Sequence, residues 1–528
     1  MRTDFQALGM MAACILLKIK TMKRHFLKSL IGYFLFLACL STGSADTSRL
    51  WGDSGELWNP KSRLPDFSYA GYHRGEAPLP DRKSELNLKD FGAVGDGLSD
   101  DTAAFQKAID ASAGKVITVP RGRYRISDIL AIRHSETLLK GAGPDQSILL
   151  FSAPLNDINP NWGATTSGRR TSNYSWSGGF LQISGTFSDQ KAASVIHPAQ
   201  RGDQALVVSN CGDFNVGEEL ILRMTDTPGN SLATLLYADD PGALENLKGR
   251  SRESFLFQLS KVDPSAGRIE FDRPLRVDVR LEWNPQLFRA VSSVEEVGIE
   301  GLGFEFPNTP YRGHFTELGF NAVSIGGARN CWLRKLRIHN ADSGIFVSGM
   351  NITLQEILLT SNRQTEPSRL ATGHHGITLG GQDNLLTQFE IRSRFMHGIT
   401  MTRGSAGNVV STGRGIDLAF DHHRYGPHSN LFTDIHIGTG SRMFQSGGGA
   451  KLGRHSAAYE TFWNIRAERP QAWPEGWGPD LMNLIGVQSR GQSITDREGR
   501  WFESIDPSSL TPPNLYRAQL ARRFGSPR

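Results

Sequence analysis

The stretch from Thr372 to Ser456 carries eight of the chain's fourteen histidines: His374, His375, His397, His422, His423, His428, His436 and His455. Imidazole ordinarily titrates near neutrality, so a cluster of these rings can move protons or ligate a transition metal. The segment DHHRYGPH packs Asp421, His422, His423, Arg424, Tyr425 and His428 into eight residues, and Lys451, Arg454 and His455 follow. Eight Arg and Lys stand against five Asp and Glu in the whole stretch. A locally cationic face of this kind favours an anionic ligand. A carboxylate within reach of two imidazoles orients one ring and raises its basicity. The residues expected to carry acid–base chemistry are therefore His375, His397, Asp421, His422, His423, Arg424 and Tyr425. Expected substrate contacts are Thr400, Arg403, His428, Arg442, Lys451, Arg454 and His455. His339 and His436, each on an alternating apolar run, read as structural.

These residues can meet only if the chain repeats. Asparagines begin similar β-rich segments at Asn330, Asn351, Asn384, Asn408 and Asn430, with separations of 21, 33, 24 and 22 residues. A period near 22 without helical periodicity predicts stacked coils of a solenoid, one repeat carrying an insertion near NRQTEPSRLATG. Stacked asparagine amides would hydrogen-bond from coil to coil. Counted from each asparagine, with the insertion-bearing repeat fitted by its own strand HGITL so that Gly376 matches Gly398, one register position stacks Ser343, His375, His397 and Asp421. The next holds Gly344, Gly398 and His422, and the one after it Ile345, Ile399 and His423. Neighbouring strands lie about 4.8 Å apart, so stacked groups touch. If the isoleucines point inward, alternation sends Thr378, Thr400, His422 and Arg424 outward. His423 then falls on an inward position, so either the strand bulges at DHHR or the register slips by one and exchanges His422 with His423. The alternative to a reactive site is a polar ladder that only stabilises the solenoid.

The rest of the chain supplies context. Lys23, Arg24 and Lys28 precede an apolar run from Leu30 to Leu40 and the small-residue stretch ending at Ala45, which reads as a secretion signal over residues 1–45. The apolar run is too short to cross a bilayer comfortably, so no stable membrane insertion is expected after cleavage. Cys39 offers a lipoprotein reading, disfavoured by Phe36 where such signals carry Leu. Residues 1–45 account for a net +5, the whole chain's +5, so the remainder is formally neutral and the argument for a nucleic-acid partner falls away. Cys211 and Cys331 could pair in an oxidising compartment but form no disulfide framework, and no CxxC or zinc-ligand spacing exists. Residues 46–85 read as an extended aromatic arm packed for stability, with Tyr69, Tyr72, His73 and Arg74 as an alternative sugar-lining set. Residues 200–285 read as an inserted antiparallel β subdomain whose loop LATLLYADDPGALENLKG is either a flap or purely structural. Residues 476–528 close the fold with a short helical tail.

Residues 86–199 open the solenoid. In DFGAVGDGLSDDTAAFQKAID a glycine turn leads into a helix that Asp100 or Ser99 can cap, with Phe105, Ala108 and Ile109 on one face and Ser112 beyond. Together with ITVPRGRYRI and LLKGAG, this segment resembles the N-terminal signature of the pectate-lyase-like superfamily. The resemblance implies an all-β right-handed parallel β-helix with that helix as its N-terminal cap, and makes residues 286–475 the main helix bearing the groove. Asp100 and Asp101 are then a helix start rather than an acid pair.

The resemblance supplies no reactive residue by direct transfer. Family lyases often use Arg or Lys as base together with bound calcium; Arg424 and Lys451 could serve here, but no calcium loop is recognisable. The leading expectation is a secreted lyase acting on an acidic, uronate-containing polysaccharide by β-elimination. It assigns His397 or His423 as base, Arg424 as carboxylate clamp, Tyr425 or His375 as acid and Asp421 as orienter. A glycoside hydrolase using Asp417 and Asp421 is the second expectation, and a non-catalytic polysaccharide-binding β-helix or adhesin the third.

Overall fold

Each strand that follows a repeat asparagine pairs in parallel with its counterpart one coil later. In the computed structural model, which describes residues 46–365 and 370–525, this ladder runs through Trp332–His339, Thr353–Thr360, Leu385–Ile391, Val409–Gly415, Leu431–His436, Thr461–Arg466 and Asn483–Val487. A second parallel sheet carries the chemistry. Its strands, in spatial as well as chain order, are β1 (Leu130–Ile132), β2 (Leu181–Ser184), β3 (Asn321–Arg329), β4 (Ser343–Met350), β5 (Gly373–Gln382), β6 (Phe395–Met401) and β7 (Phe420–His422). Ile345, Ile377, Ile399 and Phe420 lie in register across β4 to β7 and are wholly buried. The architecture is a right-handed parallel β-helix, in which the apolar residue of each coil fills the interior between the sheets.

The repeat asparagines bond as amide ladders do. Asn384 Nδ2 donates to Asn408 Oδ1 at 2.9 Å, and Asn408 Nδ2 donates to Asn430 Oδ1 at 3.0 Å. Asn430 Nδ2 ends the run on Glu460 Oε1 at 2.7 Å. Asn330 and Asn351 turn the chain in the left-handed region, at φ 49° and 55°, which asparagine tolerates better than most residues. Helix α1 (Thr102–Asp110) buries Phe105, Ala108 and Ile109 in the same core as Ile117 and Leu130. Asp100 Oδ1 accepts from the Thr102 N–H at 3.0 Å. Asp101 instead accepts from the Val94 and Gly95 N–H groups and so fixes the preceding glycine turn.

The antiparallel insert is wider than its sequence limits of 200–285, because the edge strand Lys191–Ser194 and, inside it, Gln286–Arg289 join the sheet. It has its own apolar core around Leu222, Phe257, Phe271 and Trp283. The buried Asp383 of the solenoid ties it down, accepting from Arg273 at 2.8 and 3.2 Å and from Arg276 at 2.6 Å. The segment read as flap or structure bonds to the loop beyond the site: the Gly453 N–H donates to Ala243 O and the Arg454 N–H to Pro241 O.

The arm packs Trp51, Leu64 and Phe67 with Trp463 and Ile485, and Tyr72 lies edge-on to Trp332. Its polar residues are bonded to the scaffold, Tyr72 and His73 to Glu296 and Arg74 to Asp272. The C-terminal helix Leu515–Phe524 holds the arm through Tyr516 Oη to Ala70 O and Gln519 Nε2 to Pro65 O. Cys211 and Cys331 are free and buried in separate cores, so the pairing admitted by the sequence does not form. The leader and Cys39 lie outside the described residues. Among those residues no helix is long and apolar enough to cross a membrane.

Candidate active site

Parallel pairing aligns His375 of β5 with His397 of β6, and their rings stack 4.8 Å apart at 27°. His374, one residue earlier, brings its ring to 4.2 Å from that of His375. From the loop before β3, His314 meets His374 at 4.6 Å and His397 at 5.8 Å. His423, just past β7, stands edge-on to His397 at 5.2 Å. Five imidazoles thus converge on one face of the solenoid.

Asp421 organises the outer pair. Its fully buried Oδ2 accepts from His423 Nδ1 at 2.9 Å and faces His397 Nδ1 at 3.3 Å. Oδ1 accepts from the Gly447 N–H at 2.7 Å. Burial pushes the Asp421 carboxyl up, but His397, His423 and the Gly447 N–H together hold it well below the usual carboxylate range. Burial acts against a charge on His423, yet Asp421 raises this imidazole above its ordinary value. His397 is lowered by burial and by the charges of His423 and Arg442, against the pull of Asp421. His374 and His375 are lowered well below the ordinary value by burial and by the neighbouring rings. Beneath them Tyr311 Oη donates to the buried Glu317, whose carboxyl burial pushes up to about 7. His423 is the open member of the outer pair, its side chain 32% exposed against 9% for His397.

The expected register fails at β7. Ile399 pairs with Phe420, Thr400 with Asp421 and Met401 with His422, a shift of three residues from the count that put His423 beside Ile399. Phe420 comes twelve residues after Asn408, whereas Ile399 comes fifteen after Asn384; the turn between the two sheets is that much shorter. An odd shift reverses the faces of a strand. His422 is therefore an interior residue, wholly buried with Nε2 3.3 Å from Glu460 Oε2 and its ring against Trp477. His423 takes the outward role expected of His422. Asp421 reaches His397 obliquely, from the register position of Thr400 three residues along the strand, rather than by direct stacking.

Several other expected site residues serve elsewhere. His375 is buried, its Nδ1 against Thr400 Oγ1 at 3.2 Å, so neither presents a polar group to a polymer. Arg424 donates to Gly453 O and reaches His455 Nε2 at 3.1 Å; it braces a loop instead of clamping a ligand. His428 faces Glu253 of the insert at 3.4 Å, both groups buried. Arg442 is buried and donates to Asp417 O and Met396 O. Arg454 is held by Asp240 at 2.6 Å. Arg403 and Lys451 are exposed, Arg403 lying over the half-buried Tyr425 ring at 6.0 Å. Asp417, the first of the two carboxylates expected for a hydrolase, accepts from Ser441 N and Oγ.

The site contains groups that sequence reasoning assigned no role. His374 belongs to the GHHG pair, but strict alternation spared only one of the two. His314, Glu317 and Tyr311 come from the irregular YRGHFTELG segment, which has no period to place it. The hairpin Trp162–Ala164/Arg170–Ser172 lies alongside: Thr171 Oγ1 donates to Phe315 O, and Arg170 covers the exposed Trp162 ring at 4.4 Å.

Residues 86–176 match the family model described as rhamnogalacturonase A/epimerase, pectate lyase-like. The chain has the pectate-lyase-like parallel β-helix fold. Its curated relatives include mannuronan C5-epimerase AlgE5 of Azotobacter vinelandii, 43% identical over 75 residues, which cover 12% of this chain and 7% of that protein. Alginate lyase 7 of the same organism is 42% identical over 74 residues, 12% of this chain and 9% of that protein. The matched parts therefore span less than a tenth of either relative. Among solved structures, the tailspike protein gp49 of Pseudomonas phage LKA1 aligns over 72% of this chain and 63% of its own, at 13% identity and TM-score 0.41.

Proposed function

We propose that this β-helix is a secreted enzyme acting on a uronate-containing polysaccharide, with His423 removing the C5 proton of a uronate residue in a β-elimination. The observation that carries this reading is the bond from His423 Nδ1 to the buried Asp421. It fixes the tautomer and leaves Nε2 of the most open imidazole of the outer pair to accept a proton, while the carboxylate stabilises the imidazolium that forms. The two carboxylates nearest the rings, Asp421 and Glu317, are both buried, and glycoside hydrolysis needs two that face the sugar. The exposed Arg403 and Lys451 supply cations for polymer carboxylates, and Trp162 supplies an apolar platform for a sugar ring. The similarity to a mannuronan C5-epimerase and an alginate lyase supports the substrate class. It also favours a second reading, in which the same carbanion is reprotonated to give an epimer.

One experiment separates these outcomes. Alginate, pectate and glucuronan are incubated with the protein in deuterated buffer and followed by ultraviolet absorbance and NMR. Elimination creates a C4=C5 double bond and its absorbance. Epimerisation places deuterium at C5 without that absorbance. A panel showing neither, with wild-type protein that binds the polymers, would replace the enzyme by a binding module.

A further inference from the structure

The five rings exceed what one proton transfer needs, and the inner ones have little to do in it. His374 and His397 each keep Nδ1 buried with no hydrogen bond. Each has a carboxylate oxygen beside that nitrogen, Glu317 Oε1 at 3.7 Å from His374 and Asp421 Oδ2 at 3.3 Å from His397. A histidine that turns one ring nitrogen to a carboxylate and offers the other to the ion is the usual outer arrangement of a protein metal ligand. His314 adds a third ring, and one ligand nitrogen from each of His314, His374 and His397 falls within 4.8 Å of the others. A tetrahedral ion with nitrogen ligands at about 2.1 Å sets them about 3.4 Å apart, so closure needs movements of about an ångström.

We propose that His314, His374 and His397 bind one divalent transition-metal ion of the zinc class. Three neutral nitrogen donors suit such an ion and do not suit calcium, which takes oxygen ligands. Asp421 and Glu317 then orient the rings and offset the ion's charge, and His423 stays on the open side. Binding is independent of which polymer the groove accepts, so its test needs no substrate.

The full chain, stripped with a chelator, is titrated with Co²⁺ and separately with Zn²⁺. Visible absorption reads the cobalt, and elemental analysis after gel filtration reads the zinc. The expected result is one ion per chain, unaffected by excess Ca²⁺. His314→Ala and His374→Ala should each weaken binding by at least the roughly 10- to 100-fold that loss of an outer partner causes, and His436→Ala should leave it unchanged. His314 lies outside the strands of the sheet, so His314→Ala decides the matter even if His374→Ala fails to fold. Absence of a stoichiometric ion, or unchanged binding in His314→Ala, overturns the proposal.

Discussion

Gly447 lies against His423 so closely that a Cβ at this position would stand 2.6 Å from the ring's Cε1, and 2.9 Å from that of His397. Only a residue without a side chain lets the loop's N–H reach Asp421. Gly447→Ala should fold normally yet lose activity, because the methyl group must push His423 off its bond to Asp421. Displacement of a reacting group by about 1 Å can cost about 10²-fold in rate, and the variant's kcat against its unfolding midpoint checks the expectation. Wild-type kcat in Gly447→Ala would remove His423 from the reaction.

Asp421→Asn keeps the shape of the side chain but withdraws the negative charge that fixes His423. Its kcat should fall by about 10²- to 10⁴-fold, the range associated with general acid–base catalysis. His423→Gln should fall as far, and the double variant little further, because the two act as one unit. Additive losses would show that Asp421 works through another residue.

Trp162 tests the placement of the polymer. With its ring exposed and Arg170 above it, Trp162→Ala should raise KM by about 2- to 10-fold, the equivalent of one aromatic contact, and leave kcat intact. A fall in kcat alone would place this hairpin outside the path of the chain.

How much of this could be read beforehand follows from where periodicity exists. The asparagine spacing located the coils, and Ile345, Ile377 and Ile399 set a register that holds from β4 to β6. That register broke at β7 because three residues are missing from a turn, and turns carry no repeat. Asp421 and His423 were nevertheless drawn into the site, since their clustering in sequence survives a slip. His314 was not, for it comes from a loop where neither period nor composition speaks. The bracing roles of Arg424, His428 and Arg454 are not legible for another reason: their partners Gly453, Glu253 and Asp240 are distant in sequence, and two belong to the insert.

The insert's anchor predicts stability rather than activity. Asp383 is buried between Arg273 and Arg276. Asp383→Ala leaves buried Arg273 without its counter-charge and Arg276 with only Glu253 at 3.7 Å, a change that typically costs about 3–5 kcal/mol. Denaturant unfolding should show that loss, and a change below about 1 kcal/mol would mean that Glu253 and water take over the pairing.

His455 gives the fold a pH dependence of definite sign. Burial, and then the charge of Arg424, lower its imidazole to about 4 in the folded chain, against about 6.5 when unfolded. The folded state therefore holds His455 neutral over a range in which the unfolded chain takes up a proton. Its contribution is complete above about pH 6.5 and is lost as pH falls from there toward 4. Glutamine cannot titrate, so His455→Gln should carry a fixed penalty for its altered bonds but lack this slope. Thermal unfolding of both proteins across that range should show wild type losing ground to the variant as the solution is acidified. A constant gap between the two midpoints would mean that the folded and unfolded chains bind the His455 proton equally, so that burial and Arg424 do not hold the ring neutral.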